Sequence, residues 1–170
     1  MPALSAPENG SDVETLTPIL TVNNASDPND DKLTYEFELY ADSSLTTLII
    51  AAGGIAQGTG TTSFQAPAEL TENSAYFWRS RAYDGKLYGD WMQSASFRVN
   101  VADDPPTAPT IASPVDGTEV SVLAPVLTVN NASDPDSASL TYNFQVSLDP
   151  DFIQIVAPVT GVFPGQGVTS

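Results

Sequence analysis

The sequence lacks several residue types on which common protein chemistry depends. It contains no cysteine and no histidine, which excludes disulfides, thiolate metal sites and the commonest general base. Only 5 Lys and Arg stand against 21 Asp and Glu, for a formal net charge of −16, and such a charge repels nucleic acid and anionic membrane surfaces. The longest apolar stretch, Leu48 to Ala52, is far too short to span a membrane. We therefore expect neither nucleic-acid binding nor membrane insertion.

Residue patterns for catalysis are missing as well. The chain has no Ser-His or Cys-His pair, no His-containing metal motif and no Gly-rich loop between a strand and a helix. Two carboxylates can act together in catalysis, but the acids here fall in turns and at outward strand positions. We predict that the chain is not an enzyme and that it binds no cofactor, with calcium as the single candidate exception.

The composition that remains is typical of an all-β protein. The apolar fraction is 41%, enough to build a core. Thr, Ser, Val, Asn, Pro and Gly are frequent, with 14 Pro and 11 Gly, and this mixture favours short strands joined by tight turns. No segment shows a helical stripe of apolar residues.

An internal repeat is the strongest signal in the chain. Residues 18–28 read PILTVNNASDP and residues 125–135 read PVLTVNNASDP, an offset of 107. The same register runs without a gap from Pro7 and Pro114 to Ser63 and Ser170. A period of this size matches one β-sandwich domain of about 100 residues.

The repeat divides the chain into three parts. We predict a complete sandwich over residues 1–102, a stiff Pro-rich linker over residues 103–108 and the first half of a second repeat over residues 109–170. The half-repeat has no counterpart of Phe64 through Val101. Apolar residues of the half-repeat are therefore expected to lack facing partners: Leu127, Val129, Leu140, Tyr142, Phe144 and Val146.

Alternating apolar and polar residues mark the strands of the first repeat. Three segments are predicted to be half-buried strands: Leu33 to Leu39, Tyr76 to Ala82 and Ala95 to Val101. Further strands are expected around Leu20 and Val22, from Leu48 to Ile55 and from Thr62 to Gln65. Turn-forming Asn, Asp, Gly and Pro residues separate these segments.

The second half of the first repeat resembles a fibronectin type III domain. Leu70 lies six residues before Tyr76, as in the tyrosine corner of that family, and Trp78 to Ala82 alternates like its next-to-last strand. The Asn-Ala-Ser-Asp-Pro phrase resembles tandem immunoglobulin-like and cadherin-like repeats of bacterial surface proteins. The resemblance implies tandem immunoglobulin-like (fibronectin type III-like) β-sandwiches, with only strands A to C′ of the second.

Three of the five basic residues are predicted to share one outer sheet face. Arg79, Arg81 and Arg98 occupy outward positions of two late strands, and the resemblance pairs the strand of Arg79 with that of Glu36 and Glu38. A cross-strand ladder of ion pairs is expected. An anionic-ligand site is the alternative interpretation of the arginines.

Acidic turns suggest a calcium site, because hard cations prefer oxygen ligands at alternating positions. The candidate ligands are Asp27, Asn29 and Asp31 in one loop, with Asp103 and Asp104 in the linker. The alternative is that Asp and Asn stabilise the turn through local side-chain bonds. The second copy keeps Asp134 and Asp136 but not the rest of the cluster.

Aromatic residues form the other candidate ligand site. Tyr83, Tyr88 and Trp91 fall around one loop, and such platforms bind sugars in accessory modules of polysaccharide-degrading enzymes. The alternative is that Trp91 closes the end of the core.

The leading hypothesis is a non-catalytic structural or adhesive module, a spacer or fibre-building repeat of a bacterial surface protein. The alternative is an accessory module of a secreted enzyme that binds carbohydrate or protein. Both place the protein outside the cell or on its surface, although the sequence shows no signal peptide. We expect the half-repeat either to continue in a longer protein or to be completed by another chain through its exposed strand edges, by association with itself or with other proteins.

Overall fold

The computed structural model describes residues 1–137 and 139–170. The chain divides into two compact units, Met1–Asp103 and Asp104–Ser170. Every regular element in the described residues is a β-strand, so the predicted all-β class is confirmed. None of the described residues forms a helix long and apolar enough to cross a membrane.

The first unit contains eight strands in two sheets. They are β1 (Ala3–Ala6), β2 (Ser11–Val13), β3 (Ile19–Asn23), β4 (Thr34–Tyr40), β5 (Leu48–Ala56), β6 (Thr61–Gln65), β7 (Ala75–Tyr83) and β8 (Ala95–Val99). One sheet has the order β1-β3-β6 and the other has the order β2-β8-β7-β4-β5. The β2–β8 pair is parallel, and the other pairs in the two sheets are antiparallel.

The core of the first unit lies between these two sheets, in a β-sandwich-like arrangement. Leu20 and Val22 of β3 are buried with alternate residues of the larger sheet. Phe64 of β6 stacks on Phe37 of β4, with ring centroids 5.7 Å apart, and Trp78 stacks on the same Phe37. The predicted alternation in β4 and β7 is confirmed, because their inward residues are buried and their outward residues are half-buried.

Leu70 and Tyr76 form the corner that leads into β7. Both side chains are buried, and the Tyr76 hydroxyl accepts a hydrogen bond of 2.8 Å from the backbone N–H of Thr71. The buried hydroxyl thereby has a partner, and the segment before β7 is tied to the core.

The end of β8 differs from the sequence prediction. The strand ends at Val99, and Val101, which the alternation placed inside, is 45% exposed. The backbone N–H groups of Val101 and Ala102 donate to the Glu72 carboxylate at 2.7 and 3.1 Å. The chain leaves the sheet after Val99 because the Glu72 side chain satisfies these backbone donors in place of a neighbouring strand.

In the second unit, residues 104–137 and 139–170 form five strands in two sheets. They are β9 (Thr110–Ser113), β10 (Thr128–Asn130), β11 (Tyr142–Ser147), β12 (Ile155–Val162) and β13 (Val168–Thr169). One sheet has the order β13-β10-β9, and β11 pairs with β12 in the other. These strands occupy the positions of β1, β3, β4, β5 and β6 at the offset of 107.

The two units also share their strand register. Phe37 lies opposite Ala52, and Phe144 lies opposite Val159, 107 residues further along in each strand. The register shift after Tyr35 recurs after Tyr142. The repeat seen in the sequence is therefore a repeat of backbone structure, including its irregularities.

A side-chain network fixes the same loop in both units. Asn24 accepts a hydrogen bond of 2.6 Å from Thr62 through Oδ1 and donates through Nδ2 to the carbonyl of Gly58. Asn131 makes both bonds with Thr169 and Gly165. The second Asn of the repeated Asn-Asn-Ala-Ser-Asp-Pro phrase therefore makes the same loop contacts in both units.

The second unit leaves many apolar side chains exposed. Val146 is 40% exposed, whereas its counterpart Leu39 is 1% exposed. Tyr142 differs from the expectation that it lacks partners: it is 6% exposed, and its hydroxyl accepts the backbone N–H of Ala132 at 2.8 Å. Tyr35 makes the same bond with Ala25, so this tyrosine is held by its own loop.

Candidate functional site

The outer face of β4 and β7 carries the predicted ladder of ion pairs. Glu36 lies opposite Arg81 and Glu38 lies opposite Arg79. The N···O distances are 2.7 Å and 2.8 Å, and all four side chains are partly buried. The prediction is confirmed for these pairs, whereas Arg98 pairs with Asp12 of β2 at 3.1 Å.

Trp91 joins this ladder to the predicted aromatic cluster. The guanidinium carbon of Arg79 lies 4.2 Å from the centre of the Trp91 ring, and that of Arg81 lies 4.4 Å from it. Arg81 also stacks on Tyr88 at 3.9 Å, and the rings of Tyr88 and Tyr83 are 4.6 Å apart. Sequence reasoning treated the arginines and the aromatics separately, but the structure brings them together.

Hydrogen bonds complete this cluster and compensate its charges. The Tyr40 hydroxyl donates to Glu38 at 2.6 Å, and the Tyr88 hydroxyl donates to Glu36 at 3.0 Å. Burial acts to lower the pKa of Arg79, but the Glu38 carboxylate outweighs it and the pKa is raised. The hydrogen bond to Glu36 raises the pKa of Tyr88.

This geometry bears on both ligand predictions for the outer face. Each of Arg79 and Arg81 already has a carboxylate partner, so little positive charge remains for an anion. At Trp91 and Tyr88, where a sugar would stack, guanidinium groups lie over the rings, although Tyr88 is still 49% exposed. Carbohydrate binding by Tyr83, Tyr88 and Trp91 stays a prediction, and the contacts observed here are those of a self-contained cluster.

The acidic loop of the first unit forms a turn stabilised by its own side chains. The Asp27 carboxylate accepts the backbone N–H groups of Asn29 and Asp31 at 2.8 and 3.2 Å. Asp31 also lies 3.8 Å from the exposed Lys86 ammonium. No group of three or more acidic side chains among residues 1–137 and 139–170 is arranged to hold a metal ion.

The two linker acids lie in different units. Asp103 ends the first unit and is exposed, and the backbone N–H of Asp104 in the second unit donates to the Asp136 carboxylate at 2.6 Å. Calcium binding by Asp27, Asn29, Asp31, Asp103 and Asp104 stays a prediction from sequence. The observed bonds are those of acidic turns.

The second unit contains an open apolar groove beside β11. Its volume is about 290 Å³, and we call it the β11 groove. Apolar side chains from β11, β12 and the segment before β10 line it: Leu127, Phe144, Val146, Ala157, Val159 and Val162. In the first unit, the matching face of β4 is covered, and Phe37 and Leu39 are each 1% exposed.

Strand β11 also has one edge without a neighbouring strand among the described residues. In the first unit β4 pairs with both β5 and β7, while among the described residues β11 pairs only with β12. An unpaired edge presents backbone donors and acceptors that a further strand can satisfy. The second unit thus combines an apolar face and a hydrogen-bonding edge on one strand.

The polar groups around Trp91 and Asp27 bind one another, whereas the β11 groove has an apolar lining that includes the 40% exposed Val146. The sequence predicted exposed core residues in the second repeat, and the exposure of Val146 bears this out. No protein-family model matches the chain, and no curated protein matches it significantly.

Proposed function

We propose that the chain is a non-catalytic structural or adhesive module, a spacer or fibre-building repeat of an extracellular bacterial surface protein. The observation that carries the proposal is the structural repeat. Five strands and their register recur at an offset of 107, together with the loop network around Asn24 and Asn131. Repetition of one folded unit along a chain adds length, which suits a spacer that holds another part of the protein at a distance.

The distribution of polar groups supports the same function. The strongest polar cluster, around Trp91, is built from groups that satisfy one another. Bound in this way, Arg79 and Arg81 hold strands β4 and β7 in register. An acidic surface with a net charge of −16 favours solubility over association with anionic polymers.

The proposed partners are protein strands that bind at the open edge of the second unit. Strand addition uses backbone hydrogen bonds for affinity and side-chain pockets for specificity. The edge of β11 offers backbone groups for the hydrogen bonds, and the β11 groove offers an apolar pocket for side chains. This is the contact through which a fibre-building or adhesive role would operate.

Single-molecule stretching of the full chain, held by its two ends, tests the spacer function. The first unit is expected to resist force and then open in one cooperative event. For 103 residues at about 3.3 to 3.6 Å each, the released length is about 340 to 370 Å, less the folded end-to-end distance. Extension without such an event would contradict the proposed spacer function.

A further inference from the structure

The turn that leads into β2 contains the one Asn-Gly pair of the sequence, Asn9-Gly10. An asparagine followed by glycine is the pair most prone to deamidation, because glycine has no side chain to obstruct the attack of its own nitrogen on the asparagine side chain. Asn9 is exposed and lines an open pocket of about 310 Å³, so water reaches this position. The turn therefore holds the groups that deamidation requires.

The fold holds both reacting groups against Ser96 of β8. The Gly10 N–H donates to the Ser96 carbonyl at 2.8 Å, and Asn9 Oδ1 accepts the Ser96 N–H at 2.8 Å and its hydroxyl at 3.2 Å. Donors at Oδ1 polarise the Asn9 amide and make it a better electrophile. The Gly10 nitrogen, however, attacks only after it has lost its proton, and that proton is bound to Ser96. The reaction therefore requires the hydrogen bond between Gly10 and Ser96 to break first.

Strand β2 has the properties of a segment that opens locally. It is three residues long, lies at one edge of its sheet, and none of residues 11–13 is fully buried. Asp12 joins it to Arg98 of β8 at 3.1 Å, through a side chain that is 53% exposed. Segments with so little buried surface detach without unfolding of the whole protein. Detachment of β2 would free Gly10 while the core between the two sheets stays folded.

We propose that Asn9 is a deamidation site whose reaction rate is set by local detachment of β2 from β8. In the detached state the Gly10 nitrogen gives its proton to hydroxide and forms a bond to Asn9 Cγ. The bond from Cγ to the side-chain nitrogen breaks, and that nitrogen takes a proton from water and leaves as ammonia. The five-membered succinimide then adds water and opens at either carbonyl, to aspartate or to isoaspartate.

The two products have different effects on the turn. Asp116 stands at the position of Asn9 in the second unit, and Gly117 keeps the positive φ of Gly10, 74° against 78°. An aspartate product therefore fits this turn. Isoaspartate adds a carbon atom to the main chain, which displaces Gly10 from the Ser96 carbonyl and loosens β2. Deamidation at this site thus converts a paired edge strand into a detached one in part of the molecules.

Peptide mapping by mass spectrometry measures the reaction in the full chain, incubated in mildly alkaline buffer with and without denaturing urea. The native rate at Asn9 is expected to be at least about tenfold below the rate in urea, since a hydrogen-bonded amide reacts only through opening. Asn9→Asp, which removes the reacting amide, is the control and should show no mass gain in this peptide. Equal rates with and without urea, or no reaction in urea, would overturn the proposal.

Two further variants separate local detachment from global unfolding. Asp12→Ala removes the ion pair with Arg98 and should raise the native rate about two- to fivefold. Leu39→Val removes a methylene from a core position that is 1% exposed and lowers global stability by a comparable amount, but it does not touch β2 and should leave the native rate unchanged. Acceleration by Leu39→Val, or none by Asp12→Ala, would show that the reaction requires global unfolding and would overturn the proposal.

Discussion

Glu36 lies directly opposite Arg81 across β4 and β7, and its carboxylate accepts the Arg81 Nε–H at 2.7 Å. The same carboxylate accepts the Tyr88 hydroxyl, and the Arg81 guanidinium carbon lies 3.9 Å from the centre of the Tyr88 ring and 4.4 Å from that of the Trp91 ring. One cross-strand pair therefore ties the middle of the sheet to the loop that precedes β8. The contacts of Glu36 and Arg81 with Tyr88 and Trp91 therefore connect the position of this loop to the register of β4 and β7.

Removal of the Trp91 ring should destabilise the first unit. Trp91→Ala removes two cation–π contacts, each worth about 0.5 to 1 kcal/mol at partly exposed sites, so the free energy of unfolding should fall by about 1 to 2 kcal/mol. Urea denaturation followed by circular dichroism measures this. Leu87→Ala, at a 73% exposed position in the same loop, is the matched control and should change stability by less than about 0.5 kcal/mol. Equal effects of the two variants would contradict the stacked arrangement.

Truncation of Phe37 should have a much larger effect, because its ring is enclosed between Phe64 and Trp78. Phe37→Ala is expected to lower the free energy of unfolding by about 3 to 5 kcal/mol. Both tryptophans belong to the first unit, so their fluorescence in a denaturant titration reports on it alone. Ile19→Ala, at a 53% exposed position of β3, should shift the midpoint only slightly. A small effect of Phe37→Ala on the free energy of unfolding would contradict the central position of this ring in the core.

The Asp42 carboxylate should make the stability of the folded state depend on pH. Its carboxylate accepts the backbone N–H groups of Thr47 and Thr46 at 2.6 and 3.2 Å, and these bonds lower its pKa. A lowered pKa stabilises the folded state above the unfolded pKa of about 3.9, and this contribution disappears as the pH falls through the folded pKa. Asp42→Asn should therefore lower Tm at pH 7 and have little effect near pH 2. A Tm difference that is constant with pH would contradict this role.

The sequence predicted much of this architecture because its signals are local. Period-2 alternation located β4 and β7, and the opposition of Glu36 to Arg81 follows from alternation once the strands are paired. The end of β8 was predicted wrongly because the capping of Val101 by Glu72 depends on a side chain 29 residues away. The stacking of Trp91 on two arginines was missed for the same reason, since the path of a loop leaves no periodic signal.

The central claim is that five strands of the first unit recur in the second, with β4 paired on both sides and β11 paired only with β12 among the described residues. Residue-resolved hydrogen exchange of the full chain tests it most directly. Amides of β4 should exchange slowly throughout, because the strand is paired on both sides. In β11, only the amides that face β12 should be protected, and the alternate amides should exchange rapidly. Uniform protection of β11, equal to that of β4, would contradict the claim.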